Sequence, residues 1–511
     1  MAKIREIVVR PPVGGVVRSY DFQSQPPYTA VNALNFWGRD NKTGRQRCAL
    51  RPRLVSYGTG LSSTVRGLAQ VNVATQQTLD RGLFAISGGT LYRYASGAWG
   101  SEGAAADSTR LISMAPYLQK LYIAGKAAGR PKVYDCVGDT LADIAISPGT
   151  ASTIDNCTLV CVAFDRLFWS GNSSTPHGWW ASRVATPLDY EFDLDATDVQ
   201  QAINGTNLDG GNIGEKITAM LAHNRECLLF GATDSMHIMR GDPLLGGRLE
   251  TLSHVVGPLG AASWCKTGDD QTVILTRNGL YVMAAGCGTA PQQLSKQRLP
   301  DALMGIDRDT YDAFLAYDSR FDGVHIYVTE KAGASTARQA WWMDWETGGF
   351  WPLELTTNEQ PQSIMRFDPL DGSDVSGVLL GGNNVRRFDR TDASSISSGY
   401  LYIGPIKLSP TPFHKGIIQR MSVVFGSNHT DTTGTLALYC AESGEAAYNA
   451  AVNDTASRKY SIAAGDMANN LNCFPRVGGH AAVLKYTLGS GTAFPCIEQI
   501  TLAVKDEGLY R

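Results

Sequence analysis

Between about Leu83 and Asp389 the hydrophobic pattern keeps returning to one phrase: a short apolar run, a turn bearing Gly or Asn, and a second run rich in aromatics. It occurs at Leu83 to Tyr94 (LFAISGGTLYRY), Leu121 to Tyr134, Leu167 to Ala181 (LFWSGNSSTPHGWWA), Leu228 to Met239, Val273 to Met283 (VILTRNGLYVM), Val324 to Trp345 and Val378 to Phe388. Two β-prone runs joined by residues that tolerate a tight reversal predict a hairpin. A hairpin alone cannot bury its apolar face, so repeated hairpins must pack on copies of themselves. The copies recur at roughly 40 to 60 residues, which suits one four-stranded blade each, and predict an all-β fold built on a β-propeller of about six to eight blades. A linear stack would keep a tighter period and need polar caps at both ends.

The flanking regions do not share this phrase. Residues 1–60 carry Pro11, Pro12, Gly14, Gly15, Pro26 and Pro27, which break long elements and predict an extended N-terminal arm with short strands. Such an arm is expected to pack on another domain of the chain or on a neighbouring subunit. The propeller is expected over 61–395, ending in the polar stretch Thr391 to Gly399. Over 396–511, strand-like runs at Leu401 to Ile403, Ile417 to Phe425, Leu436 to Tyr439, Ala482 to Leu488 and Ile497 to Val504 predict a β-sandwich-like domain.

Composition supports this picture. Fifty-four glycines in 511 residues, with no long 3.6-residue apolar period, weigh against a helical fold. A net charge of −3 makes the chain as a whole no electrostatic trap for nucleic acid or anionic lipid. The opening MAKIREIVVR lacks the apolar core of a signal peptide, and no run reaches the length of a membrane span, so a soluble protein made in a cytoplasm is expected. Ten scattered cysteines without a C-x-x-C pair or a Cys/His quartet suggest neither a zinc site nor a disulfide framework.

Candidate chemistry is sparse. The arm carries Arg39, Lys42, Arg45, Arg47, Arg51 and Arg53, opposed locally only by Asp40. They suit contact with phosphate or an acidic partner surface, but charge runs commonly face solvent, and that reading is preferred. In LDYEFDLD, the acids Asp189, Glu191, Asp193 and Asp195 alternate with Leu188, Tyr190, Phe192 and Leu194. In a strand, all four carboxylates would share one face, fit for a cation, a basic partner or simply water. The sixth place of a calcium loop needs Gly and here holds Leu194, so the solvated face is preferred. H-E-x-x-H, Gly-x-Ser-x-Gly and the phosphate-binding Gly-x-x-x-x-Gly-Lys-Ser/Thr are all missing, so no catalytic, cofactor or metal residues are expected. The segment Trp341, Trp342, Trp345, Phe350 and Trp351 resembles a kelch-like blade hairpin; its aromatics either fill the space between blades, the preferred reading, or stack on a sugar.

Several stretches resemble propeller-bearing tail proteins of tailed bacteriophages: Pro12 to Leu54 (PVGGVVRSYDFQSQPPYTAVNALNFWGRDNKTGRQRCALRPRL), Phe168 to Asp193, Leu228 to Cys265, TRNGLYVM and the terminal IEQITLAVKDEGLYR. Within that group the size and architecture are similar to the tail nozzle or hub of short-tailed, P22-like phages. The resemblance implies a virion protein forming a hexameric ring below the portal and adaptor proteins, with a lumen for DNA ejection and lateral contact with tail fibres or spikes. It implies no enzyme activity and no cofactor. It places the chain in the virion tail, assembled in the bacterial host cytoplasm without stable membrane association. Arg39 to Arg53 and Asp189 to Asp195 become interface or channel candidates, since the acidic row would line a channel or meet the arm's arginines across a subunit boundary. The alternative is a carbohydrate-binding or carbohydrate-cleaving propeller using Asp189, Glu191 or Asp344 beside a Trp-lined pocket, for which hydrolysis needs two carboxyl groups facing each other across a cleft. An intracellular scaffold propeller is a third reading, with partners but no closed ring.

Overall fold

The computed structural model describes residues 4–74, 79–126, 128–150, 152–192, 195, 197–205, 213–286, 288–331, 337–369, 376–389, 396, 398–411, 414–456, 459–462, 471–489 and 493–509. Seven four-stranded antiparallel sheets stand among these residues, one after another along the chain. Their innermost strands are Val65–Ala74, Ser113–Tyr117, Leu159–Ala163, Ala219–Asn224, Trp264–Lys266, Tyr311–Asp318 and Ser363–Phe367. The first packs beside both the second and the seventh, so the sheets form a closed β-propeller.

Each hairpin read from the sequence is the middle pair of strands of one blade. These strands are apolar on both faces because blades cover them on either side. Phe84, Ile86, Leu121 and Tyr134 meet between the first and second blades, and Leu221, Leu229, Ile274 and Met283 between the fourth and fifth. In the first blade the reversal uses Gly88 and Gly89, both at positive φ, as a two-residue turn matched to strand twist requires.

The arm comprises five strands: β1 (Ile4–Val9), β2 (Ala30–Leu34), β3 (Phe36–Arg39), β4 (Gln46–Leu50) and β5 (Arg53–Ser56). β5 pairs with Val385–Asp389 and supplies the outer strand of the seventh blade, so the propeller draws a strand from before residue 61. The other four enter the C-terminal sandwich. β1 and β4 pair with Cys496–Leu509, which also pairs with His414–Phe425, and β3 pairs with β4. β2 pairs with Tyr400–Lys407 in the opposite sheet, beside Ala481–Thr487, Thr435–Ala441 and Lys459–Ser461. On that second sheet lies a helix, α1 (Gly444–Val452), absent from the sequence reading because three small alanines, Ala447, Ala450 and Ala451, form its buried face. Ser443 caps it by accepting a hydrogen bond from the Ala446 amide at 3.1 Å.

The arm also fastens the sandwich to the sixth blade. Val16 N and Asn35 N donate to Phe350 O and Pro352 O, on that blade's outer strand. Gly15, at φ 79°, lies so close that a β-carbon would sit 2.5 Å from the Phe350 amide nitrogen, a fit that only glycine permits. Trp37 stacks on Trp342 with ring centres 4.3 Å apart and meets Phe321 edge-on. One hydrophobic cluster therefore runs without a break from the fifth, sixth and seventh blades into the sandwich. Cys48, Cys136, Cys157, Cys265, Cys440, Cys473 and Cys496 are buried free thiols, whereas Cys227 is disulfide-bonded, a bridge the scattered spacing does not foretell.

Candidate functional site

The innermost strands surround a channel, and the loops leading into them form its mouth. Position by position, the blades are equivalent there. Arg110, Asn156, Lys216, Ala261 and Arg308 each stand three residues ahead of the first residue of an innermost strand, 113, 159, 219, 264 and 311 respectively. All five line one cavity of about 520 Å³ at the mouth, and Lys331 reaches it from the turn after Gly323–Glu330. A cation thus stands at the equivalent position of the second, fourth and sixth blades.

Their ion pairs are loose. Arg110 Nε lies 3.6 Å from Asp107, Arg308 Nη2 lies 3.9 Å from Asp234, and Lys331 Nζ lies 3.9 Å from Asp312. Arg308 Nη2 donates to Thr233 O and Lys331 to Arg308 O, while Arg308 Nη1 is buried without a protein partner. Lys216 is exposed. Burial pushes the Asp312 carboxyl above its ordinary range, against the pull of Lys331 and Arg66. Thr109, Ser113, Thr158 and Thr218 add hydroxyls to the lining. The hydroxyls of Ser113, Thr158 and Thr218 are spent on Val160 O, Gly171 O and Gly231 O, and Arg308 Nη1 is closed off from solvent, so only the cations' charge is offered to the cavity.

A second cavity of about 430 Å³ shares Leu111, Ser113 and Ala261 with the first and takes lining residues from all seven innermost strands, among them Leu68, Met114, Val162, Met220, Trp264, Leu315 and Ile364. Its side chains are mostly apolar, but polar groups make up about half of its exposed wall. Both volumes fall in the range of about 300–1,000 Å³ typical of small-molecule sites.

The residues singled out in the sequence lie elsewhere. Three of the arm's cations are not solvated: Arg47, Arg51 and Arg53 are buried, which corrects the expectation of a solvent-facing run. Arg51 donates to Asn35 Oδ1 at 2.9 Å, Pro52 O at 3.0 Å and Glu354 O at 3.0 Å, and its burial lowers its pKa. Asn35 in turn donates to Ser398 O at 2.7 Å, so this pair binds arm, sixth blade and sandwich entry together. Arg53 donates to Ala493 O. Arg47 pairs with buried Asp40 at 2.6 Å and with Glu498 at 3.2 Å. Burial alone would raise the Asp40 carboxyl, but hydrogen bonds from Thr43 and Arg47 hold it below the ordinary range. Arg39 holds Glu346 and lies 3.6 Å from Asp344. Only Lys42 and Arg45 are exposed, Lys42 with its ammonium 4.4 Å from the Phe494 ring centre.

Among the described residues, Asp189, Glu191 and Asp195 do not lie in a strand: Asp189 N closes a turn onto Thr186 O, and Asp189 Oδ1 accepts from Glu191 N. Tyr190 is buried and its hydroxyl accepts a 2.6 Å bond from Trp169 Nε1, which fixes the segment by its aromatic residue. Asp195 caps its own turn through Thr197; Asp193 lies outside the described residues. Among the described residues, Arg39, Arg47, Arg51 and Arg53 find partners other than these acids. Trp341, Trp342, Phe350 and Trp351 are buried, so they present no face to a sugar, and Asp344 is held by the Thr347 amide at 2.9 Å.

The mouth residues escaped the sequence reading because they come from five blades. Once blade boundaries are known, the recurrence of a basic residue three positions ahead of an innermost strand is the signal that finds them.

No family model matches the chain, and no curated protein does. Among solved structures it is similar to the extracellular domain of a putative one-component system from B. thetaiotaomicron, with 11% identity over 95% of this chain and 64% of that one and a TM-score of 0.44. It is also similar to a streptogramin B lyase, with 10% identity over 66% of this chain and 98% of that one and a TM-score of 0.41. A third likeness is to the extracellular domain of a putative hybrid two-component system from B. thetaiotaomicron, at 9% identity and a TM-score of 0.39, where 68% of this chain spans 46% of the other.

Proposed function

We propose that this chain is a non-catalytic subunit of a bacteriophage tail nozzle or hub: a ring, hexameric in the phage group it resembles, that lies below the portal and adaptor, conducts DNA and anchors fibres or spikes. The observation that carries the reading is the role of the arm. The longest stretch of resemblance, Pro12 to Leu54, is the segment that contributes to both sheets of the sandwich, reaches the seventh blade and seals the joint to the sixth. Two domains joined by a linker ordinarily move against each other, and a buried, threaded joint suppresses that motion. A conduit loaded by passing DNA needs such stiffness.

Two further features agree with it. The propeller's own channel, at about 430 Å³, has no room for a duplex, so DNA would pass between subunits. A net charge of −3 also avoids the strong phosphate neutralisation that would hold DNA in place. Exposed Lys42 and Arg45 remain available to a neighbour.

The test is cryo-electron microscopy of the particle that contains this chain. A symmetric ring below the portal around an axial lumen is expected. Density in peripheral spikes, or absence from particles, would overturn the proposal and return attention to glycan binding.

A further inference from the structure

We propose that His325 is an acid-sensitive latch: neutral, it keeps the arm seated on the sixth and seventh blades, and on taking up a proton in mild acid it loosens that joint while the rest of the propeller stays folded. The proposal rests on where the ring sits. His325 is fully buried. It lies flat on Phe388 of the seventh blade, with ring centres 4.4 Å apart and planes at 8°, and meets Trp342 of the sixth blade at 4.7 Å and Trp37 of the arm at 6.2 Å. Phe388 in turn stands opposite Leu54 of β5. The three parts of the joint therefore meet on one imidazole.

The surroundings suit the neutral ring and have no place for the charged one. Nδ1 lies 3.0 Å from the Tyr327 hydroxyl, and Nε2 lies 3.8 Å from Asp318 Oδ2, beyond hydrogen-bond length. With Tyr327 O–H donating to Nδ1, the ring's own hydrogen is on Nε2 and faces Asp318. A second hydrogen, on Nδ1, would make the Tyr327 hydroxyl an acceptor, and that hydroxyl has no other hydrogen-bond partner among the described residues to take its own hydrogen. Asp318, also fully buried, is already engaged by Arg320 through Nε at 3.3 Å, Nη2 at 3.2 Å and the backbone amide at 3.0 Å. The arm adds the charge of Arg51, whereas the facing strands of the sixth and seventh blades bring only the rings of Trp342 and Phe388. A protonated His325 would be a third cation around one carboxylate. The rings attract a cation, but by less than its complete removal from water costs. Burial accordingly holds the His325 pKa below its ordinary value, against the pull of Asp318.

The sign follows from that direction. The joint is at full strength above the unfolded pKa of histidine, about 6.5, and weakens as pH falls from there toward the folded value. Hydrogen exchange of the full chain, read by mass spectrometry at about pH 7.5 and about pH 5 and corrected for the intrinsic rate, measures the opening. The reporters are the Val16 and Asn35 amides, which donate across the joint to the sixth blade. Their protection is expected to fall by about tenfold over that interval, while the innermost strands Ser113–Tyr117 and Ala219–Asn224 keep theirs. Asp40 and Asp318, both held below the ordinary carboxylate range, stay ionised throughout. The double variant His325→Phe with Tyr327→Phe removes the titrating group together with the hydroxyl it satisfies and keeps the aromatic stack. It should leave the protection of Val16 and Asn35 equal at the two pH values, as should His325→Gln.

The proposal fails if the parent chain protects Val16 and Asn35 equally at both pH values, if every strand loses protection together, or if either variant keeps the parental pH dependence. Should the double variant fail to fold, His325→Gln and the parent's own profile decide the matter. The joint lies within one chain and needs no ring, so the result is independent of the assembly proposal.

Discussion

The joint between the arm and the sixth blade and the mouth of the propeller are both built around arginines, and they treat them in opposite ways. At the joint, Arg51 is enclosed and its donors are spent on Asn35, Pro52 and Glu354 at 2.9 to 3.0 Å. At the mouth, Arg110, Arg308 and Lys331 face acids at 3.6 to 3.9 Å, and one guanidinium nitrogen has no protein partner. A cation whose hydrogen bonds are complete holds a structure together. One that faces its acids loosely at a cavity wall contributes less to stability.

Removing a completed cation should do the most damage. Arg51→Met leaves the Pro52 and Glu354 carbonyls short of a donor, at roughly 1–3 kcal/mol each, while Asn35 Oδ1 keeps the Glu354 amide, and should destabilise the chain by about 2–6 kcal/mol. A urea midpoint within experimental error of the parent's would show that the joint is not what stabilises the arm. Trp37→Ala removes the ring stacked on Trp342 and should cost about 3–5 kcal/mol through the cavity it leaves. Near-parental thermal stability in that variant would mean the aromatic cluster closes without Trp37.

Arg47→Met sharpens the comparison because it exposes the partner's chemistry. It strands buried Asp40 and should cost about 3 kcal/mol at neutral pH. The folded pKa of Asp40 lies below its unfolded value, so its contribution is fully present above the unfolded pKa, about 3.9, and is lost as pH falls through the folded value. Without Arg47, burial acts with less opposition, the carboxyl titrates higher and acid unfolding should begin at higher pH. An unchanged acid-unfolding profile by circular dichroism would remove Asp40 from the account. The smallest effect is expected at the mouth: Lys216→Glu should change stability by less than about 0.5 kcal/mol, as for an ordinary surface substitution. A loss of several degrees in melting temperature would place Lys216 among the structural cations instead.

The parts of the fold legible in the sequence were those whose pattern is local. All seven hairpins, from Leu83–Tyr94 to Val378–Phe388, are the middle strands of blades, and the first strand of each pair is largely apolar on both faces. Outer strands such as Ile203–Asn204 and Gln292–Gln293 are two residues long and carry no periodicity to detect. β5 lies among the arm's prolines and arginines, and its membership of the seventh blade depends on a partner more than three hundred residues away. The acidic row shows the converse failure. Its alternation suits a strand, but Thr186 and Pro187 begin a turn, and Tyr190 sets the segment's position by reaching Trp169. Arginine spacing likewise says nothing about partners: Arg45 is in water and Arg47, two residues on, is enclosed. The mouth is the least legible of all, because its residues meet only after the circle closes.

That closure has a consequence for synthesis. β5 leaves the ribosome early, yet the strand it pairs with, Val385–Asp389, follows only after the whole propeller has been translated. At about 5–20 residues per second the interval is roughly 15–70 seconds, during which the arm has no sheet to join. β1 and β4 wait longer still, for Cys496–Leu509. A chain interrupted before that strand would leave unpaired edges exposed, prone to aggregation and recognisable to chaperones and proteases. The threading that stiffens the finished fold therefore also works as a completeness check, because an aborted translation product cannot close it.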